Sequence, residues 1–213
     1  MADSFRIVGR LLRGGLRAVV PEAALAPLLP YRKISRERWN QEYAEGRWRG
    51  LEDVRDLARY SVIIGYCDHY RPGGGLLDVG CGEGILQRRL SQGGYGRYLG
   101  LDCSEEAISG ARTRRDAHTE FCCADAENYE PQESFDIIIF NEVIYYFANP
   151  VAVVLRLARN LNPGGIIIVS MFRRGTSHAI WGALDRVLRL EDAVTVTNKD
   201  RASWDIKVFH LSA

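Results

Sequence analysis

Neither sign of charge is in excess in this chain: 28 Lys and Arg face 27 Asp and Glu over 213 residues. Without a net field, nothing draws the whole molecule to a nucleic acid, so a nucleic-acid partner is not expected and a small or locally held substrate is. Cysteine is sparse and has no pairing pattern. Cys67, Cys81, Cys103, Cys122 and Cys123 are odd in number, with no C-x-x-C pair and no histidine at ligand spacing. That argues against a metal site and for reduced thiols in a cytoplasmic protein. Long apolar runs are missing as well. The N-terminal stretch is broken by Gly14, Gly15, Pro21, Pro27 and Pro30, so neither a membrane span, which needs about 20 apolar residues, nor an export signal is expected.

The length suits one domain with a sizeable core and is too short for two. Residues 1–40 hold eight basic residues against three acids, leaving twenty basic and twenty-four acidic residues in the rest. Residues 1–38 therefore read as a basic helical extension, with Arg6, Arg10, Arg13 and Arg17 at helical spacing, and residues 39–213 as the domain. The extension suits a lid or a partner contact better than attachment of residues 1–30 to a membrane surface. A monomer or homodimer is expected.

From residue 75 onward, short apolar runs alternate with helical segments, the pattern of βαβ units and a parallel sheet. The runs are 76–79, 98–101, 121–124, 135–140 and 166–170. Those at 135–140 and 166–170 are almost continuous in Ile, Val and Phe, as central strands buried on both faces require. Helices are expected at 85–90, after Ser104, after Asn149-Pro150 and over 177–190, with the turn Asn162-Pro163-Gly164-Gly165 closing the third after Leu161. Two last strands, 193–197 and 205–211, have no long helix between them and should pair antiparallel.

The informative segment is Leu76-Leu77-Asp78-Val79-Gly80-Cys81-Gly82-Glu83-Gly84, a strand running into a glycine-rich turn that opens a helix. Such a turn lets a ligand approach the backbone, where a side chain would occupy its space. The next strand ends at Asp102, 18 residues past Gly84, where a carboxylate can accept from both hydroxyls of a ribose. A dinucleotide fingerprint would want Gly or Ala at position 85, which is Ile85. Asp78 would also repel a pyrophosphate, whereas it attracts a cationic amino or sulfonium group.

On these residues the sequence resembles the class I S-adenosylmethionine-dependent methyltransferase family over residues 39–211. The resemblance implies an α/β, Rossmann-like doubly wound fold, with a mostly parallel seven-stranded sheet, an antiparallel last strand and helices on both faces. It implies S-adenosyl-L-methionine as cofactor, with its aminocarboxypropyl end at Asp78, Gly80, Cys81 and Gly82 and its ribose at Asp102. The adenine would lie by Cys103, Asp125 and Ala126, and Asn141 would complete the set at the end of the fourth strand. Trp39, Tyr43 and Trp48 resemble an aromatic pattern that folds over the cofactor in several members.

Methyl transfer is an in-line displacement that needs an aligned acceptor, exclusion of water and, for some acceptors, a proton acceptor. The candidates at the strand ends are Glu142, Tyr145, Tyr146 and His178. Tyr145 and Tyr146 are adjacent, so on a helix one would face the core and the other the pocket. The acceptor expected is a small molecule or a sugar or glycan, methylated on O or N, under a lid formed by residues 1–60 and 172–181, with Trp181 as wall or core. Two other functions compete: a non-catalytic S-adenosylmethionine-binding module acting through a partner, and a nicotinamide-dependent oxidoreductase, which Asp78 and Ile85 disfavour.

Overall fold

The structure is a computed structural model that describes residues 34–90, 94–173, 175 and 177–212. Most of the basic extension, with its helix and any membrane contact of residues 1–30, lies outside the described residues. Among the described residues, no helix is long and apolar enough to cross a membrane.

Helix α1 (Arg36–Ala44) and a 3-10 turn (Arg49–Glu52) precede α2 (Val54–Tyr70), and the alternation begins at β1 (Gly75–Val79). It continues through α3 (Ile85–Arg89), β2 (Arg97–Asp102), α4 (Glu105–Arg112), β3 (Thr119–Cys123) and β4 (Phe135–Asn141). A 3-10 turn (Ile144–Tyr146) leads to α5 (Pro150–Leu157), then β5 (Leu161–Phe172), α6 (Ser177–Leu184), β6 (Leu188–Thr197) and β7 (Ser203–Leu211). The boundary expected between residues 38 and 39 falls inside α1.

The seven strands form one sheet in the order β3-β2-β1-β4-β5-β7-β6. β7 runs antiparallel to both β5 and β6, and the other pairings are parallel. This is the doubly wound sheet expected. Side chains alternate between its faces. In β4, Ile138 and Phe140 pack with α5 and α6, while Ile137 and Ile139 pack with α2, α3 and α4. All four are fully buried, which is why this strand carries no polar face.

The caps follow their chemistry. The Ser104 hydroxyl accepts from the Ala107 N–H and starts α4, with Glu105 and Glu106 in its first turn, and the Asn149 side chain accepts from the Ala152 N–H ahead of Pro150. Two expectations fail. α6 ends at Leu184, not Leu190, because the chain pairs with β7 from Leu188 onward and tertiary pairing overrides helical pattern. α5 ends a turn early, and Asn162 to Gly165 form a bulge in β5: the register passes from Phe135↔Leu161 to Ile137↔Ile166.

Gly100, in the middle of β2, marks a close approach between layers. A methyl group there would lie 2.5 Å from Phe121 Cδ1 and 2.9 Å from Cys81 Sγ, both side chains being buried. Gly100→Ala should therefore destabilise by about 1–3 kcal/mol through overpacking, read as a lower urea midpoint at unchanged slope. A wild-type midpoint would show that Phe121 yields freely.

Candidate active site

The strand order reverses between β1 and β4, which lie side by side, and a crevice opens at their carboxyl ends, as in other sheets of this topology. The loop after β1 is pinned by its backbone: Gly80 N and Cys81 N both donate to Leu101 O, at 2.7 and 3.0 Å. Gly80 and Gly82 both adopt positive φ, at 74° and 54°. A Cβ at Gly80 would meet Val143 at 2.4 Å, and one at Gly82 would meet the Tyr43 hydroxyl at 2.8 Å. Glycine is thus required on both steric and torsional grounds.

At the end of β2, Asp102 is almost fully buried, and burial raises its pKa against the opposing pull of backbone N–H donors. Gly82 N donates to its Oδ2 and Ser104 N to its Oδ1, each at 2.9 Å. The carboxylate is aimed by these bonds, yet each oxygen keeps a lone pair for a ligand. Cys103, Asp125, Ala126 and Glu127 continue this edge of the crevice. Their loop is clamped from α5, where the Arg156 guanidinium donates to the carbonyls of Ala126 and Tyr129.

Two connected spaces occupy the crevice. The larger is a cavity of about 900 Å³ running from Asp102 and Ala126 past Trp39, Tyr43 and Trp48 to Tyr145, Phe172 and Trp204. It lies near the top of the roughly 300–1,000 Å³ range of ligand pockets, which leaves room for two molecules side by side. The smaller is a chamber of about 50 Å³ under the glycine loop, lined by Asp78, Tyr60, Gly80 and Gly82. Tyr43, Trp48, Arg59, Asn141 and Glu142 line both.

Three polar atoms around the chamber are buried without a hydrogen-bond partner: Asp78 Oδ1, Arg59 Nε and Trp48 Nε1. Such orphans are costly, and a ligand that satisfies them recovers that cost. Asp78 is 2% exposed. Tyr98 donates to its other oxygen, and burial, aided by the charge of Asp102 and opposed by Tyr98 and Arg59, pushes the carboxyl up to about 7. Arg59 is also 2% exposed. It donates to Asp56 Oδ1 at 2.8 Å and to Asn141 Oδ1, and lies over the ring of Tyr60 at 4.5 Å. Two unpaired donors and one unpaired carboxylate oxygen around one chamber complement the carboxylate and ammonium of an α-amino acid.

Glu142 follows β4 in the left-handed region, at φ 61°, a conformation that side chains other than glycine hold only when their surroundings enforce it. Tyr145 Oη donates to its Oε2 at 2.9 Å and Ser170 Oγ to its Oε1 at 3.1 Å. Burial raises its pKa, opposed by Arg59, by these two donors and by the Phe172 backbone. Tyr145 and Tyr146 sit on a 3-10 turn and both line the cavity, correcting the expectation that one would be core. Tyr146 meets Trp39 edge-on, with ring centroids 4.9 Å apart.

Every residue expected around the cofactor borders one or both spaces. His178 does not: it stands on the exposed face of α6. Trp181 is core, 6% exposed and packed near Phe209, and Trp204 of β7 forms the wall instead. Arg59 and Asp56 are the functional candidates that sequence reasoning missed. The signal was there, since Arg59, Ile63 and Cys67 recur every four residues on the buried stripe of α2.

A family described as a methyltransferase domain matches residues 71–203. The chain belongs to this family. Among curated relatives it is 29% identical, over 161 residues, to a protein of Bradyrhizobium diazoefficiens named ubiquinone biosynthesis O-methyltransferase, a match covering 70% of this chain and 62% of that one. The chain thus spans less than two thirds of that relative's length. The fold is shared with the N-methyltransferase NodS of Bradyrhizobium japonicum WM9, solved with S-adenosyl-L-homocysteine, at TM-score 0.67 and 21% identity over 78% of this chain and 92% of that one. It is shared too with magnesium protoporphyrin IX methyltransferase of Synechocystis PCC 6803, solved with S-adenosylmethionine, at TM-score 0.68 and 19% identity over 86% of this chain and all of that one. The resemblance to class I methyltransferases is borne out in family and fold.

An Asp78 carboxylate that received a ligand's ammonium would make binding depend on pH. Its pKa moves from 3.8 to about 7 on folding, so its contribution favours folding at low pH and is lost as pH rises through 7. A ligand ammonium needs the ionised form. Affinity for S-adenosylhomocysteine, measured by calorimetry, should therefore fall by up to about tenfold for each pH unit below 7. Asp78→Asn should flatten that dependence and weaken binding at pH 8; a wild-type slope in the variant would show that another group titrates.

Proposed function

We propose that the protein is an S-adenosylmethionine-dependent methyltransferase that methylates a hydroxyl group of a small molecule. The observation that carries this reading is the trio of unpaired atoms under the glycine loop. Asp78 Oδ1 would hold the ammonium of the cofactor's methionine moiety, and Arg59 Nε with Trp48 Nε1 its carboxylate. Asp102 would accept from the ribose hydroxyls, and Cys103, Asp125 and Ala126 would flank the adenine. Gly80, Cys81 and Gly82 leave the backbone open to the ligand, and Trp39 and Tyr43 cover it from α1. When bound, S-adenosylmethionine supplies an electrophilic methyl group on a positively charged sulfur.

The acceptor lies in the other half of the cavity, against Glu142, Tyr145, Phe172 and Trp204. Its walls are mainly aromatic, suiting a flat or apolar molecule. Glu142 takes the proton of the acceptor hydroxyl as general base. Tyr145 and Ser170 donate to its two oxygens and hold it still, and burial raises its pKa, which makes it a stronger base than an exposed carboxylate. Tyr146 supports Trp39 from below. The relative named for O-methylation agrees with oxygen rather than nitrogen as the atom methylated. A sugar hydroxyl is the alternative acceptor. A cytoplasmic setting, as monomer or homodimer, completes the reading and suits five free thiols.

The test is transfer of a labelled methyl group from S-adenosylmethionine to a panel of hydroxylated aromatic and sugar acceptors. Glu142→Gln should lower kcat by about 10²–10⁴-fold, with affinity for S-adenosylhomocysteine within about twofold of wild type. Equal loss of affinity in that variant would move Glu142 from the acceptor to the donor half. A purified protein that binds neither S-adenosylmethionine nor S-adenosylhomocysteine would overturn the reading as a whole.

A further inference from the structure

α1 covers the donor half of the cavity but is only lightly seated. None of its residues is fully buried. Its N-cap, where Ser35 Oγ accepts from Arg38 N, and its outer pairs Arg38–Glu42 and Gln41–Glu45 stabilise the helix itself. They do nothing to fix it to the sheet. Yet Trp39 and Tyr43, which line the cavity, stay in place only if the helix does.

Asn40 fastens it. Its Oδ1 accepts from Ser104 Oγ at 2.8 Å and, at longer range, from Glu106 N at 3.4 Å. The Glu106 partner is an N–H donor, so the amide oxygen and not its nitrogen must face α4. Ser104 is fully buried. Its hydroxyl also accepts from Ala107 N to cap α4, and its own N–H donates to Asp102 Oδ1. Asp102 in turn accepts from Gly82 N. One run of hydrogen bonds therefore ties the glycine loop, the carboxylate at the end of β2 and the covering helix together.

We propose that Asn40 is the positioning residue that seats α1, and with it Trp39 and Tyr43, over the bound nucleoside, so that its bond to Ser104 sets how long the nucleoside stays. This rests on the methyl-donor reading above. Asn40 touches neither donor nor acceptor; it acts through the two aromatic side chains on its own helix. Loss of its acceptor oxygen leaves α1 intact as a helix and releases it as a cover. The effect falls on dissociation, because entry into an open crevice does not require the bond.

Stopped-flow tryptophan fluorescence with S-adenosylhomocysteine tests this in the full chain. Asn40→Ala should speed dissociation about tenfold, the size expected for one hydrogen bond. Association should stay within about twofold of wild type, and the unfolding midpoint of the free protein should fall only slightly, since α1 contributes no buried residue. Asn40→Asp keeps the accepting oxygen, at a helix N-terminus that favours negative charge, and should restore near-wild-type dissociation. Wild-type dissociation in the Ala variant, or equal acceleration in both variants, overturns the proposal. Failure of the wild-type protein to bind S-adenosylhomocysteine overturns instead the reading on which it rests.

Discussion

A guanidinium buried at 2% exposure must be matched by negative charge or the fold does not tolerate it. Arg59 meets that requirement with Asp56 on its own helix and with the charges of Glu142 and Asp78 at the ends of two adjacent strands. One cation thus stands between the donor and acceptor halves of a single crevice. Burial raises the pKa of Asp78 and of Glu142 against the opposing pull of Arg59, so the three carboxylates need not all carry charge at once. The unpaired Asp78 Oδ1 is the group under the glycine loop that an ammonium would satisfy. Removing either side would leave buried charge uncompensated, which is why β1, β4 and α2 act together here.

The sheet makes that arrangement rigid. β1 and β4 are paired in register with Val79 opposite Phe140, so β4 runs one residue past the end of β1, to Asn141. Backbone N–H groups orient Asp102, and Tyr98 orients Asp78, before any ligand arrives. By contrast the cover, α1, contributes no buried residue and depends on side-chain contacts. A fixed floor and a loosely held roof suit a site that must exclude water during transfer and then release its product.

Much of this was readable from residue pattern. The central strands announced themselves because burial on both faces leaves no polar position in 137–140 and 166–169, and Asp78, Gly80, Gly82 and Asp102 did so through spacing that only a strand-loop-helix turn explains. The end of α6 could not be seen, since Leu188 and Leu190 fit a helical stripe as well as a strand, and only pairing with β7 decides between them. Trp181 was open between wall and core for a similar reason. Trp181 lies in the middle of α6 and Trp204 near the start of β7, and which tryptophan borders the cavity depends on how β7 inserts between β5 and β6. His178 looked well placed as a residue type near neutrality, but position along the chain did not disclose that its face of α6 points to solvent.

The two halves of the crevice rest on different physics, and this limits how far one informs the other. The half around Asp78 and Asp102 is built from strand ends, backbone donors and buried charge, and so from the pairing of the sheet itself. The acceptor half is shaped by Tyr145 on a 3-10 turn, Phe172 at the end of β5 and Trp204 near the start of β7, positions that can change without disturbing the sheet's core pairing. Glu142 bridges the two: its N–H donates to Ser170 O near the end of β5, while its carboxylate borders the cavity. Family membership therefore speaks mainly for the donor. The acceptor must be argued from these side chains, whose apolar walls around the oriented carboxylate of Glu142 suit a neutral hydroxyl better than an anionic group, which that carboxylate would repel.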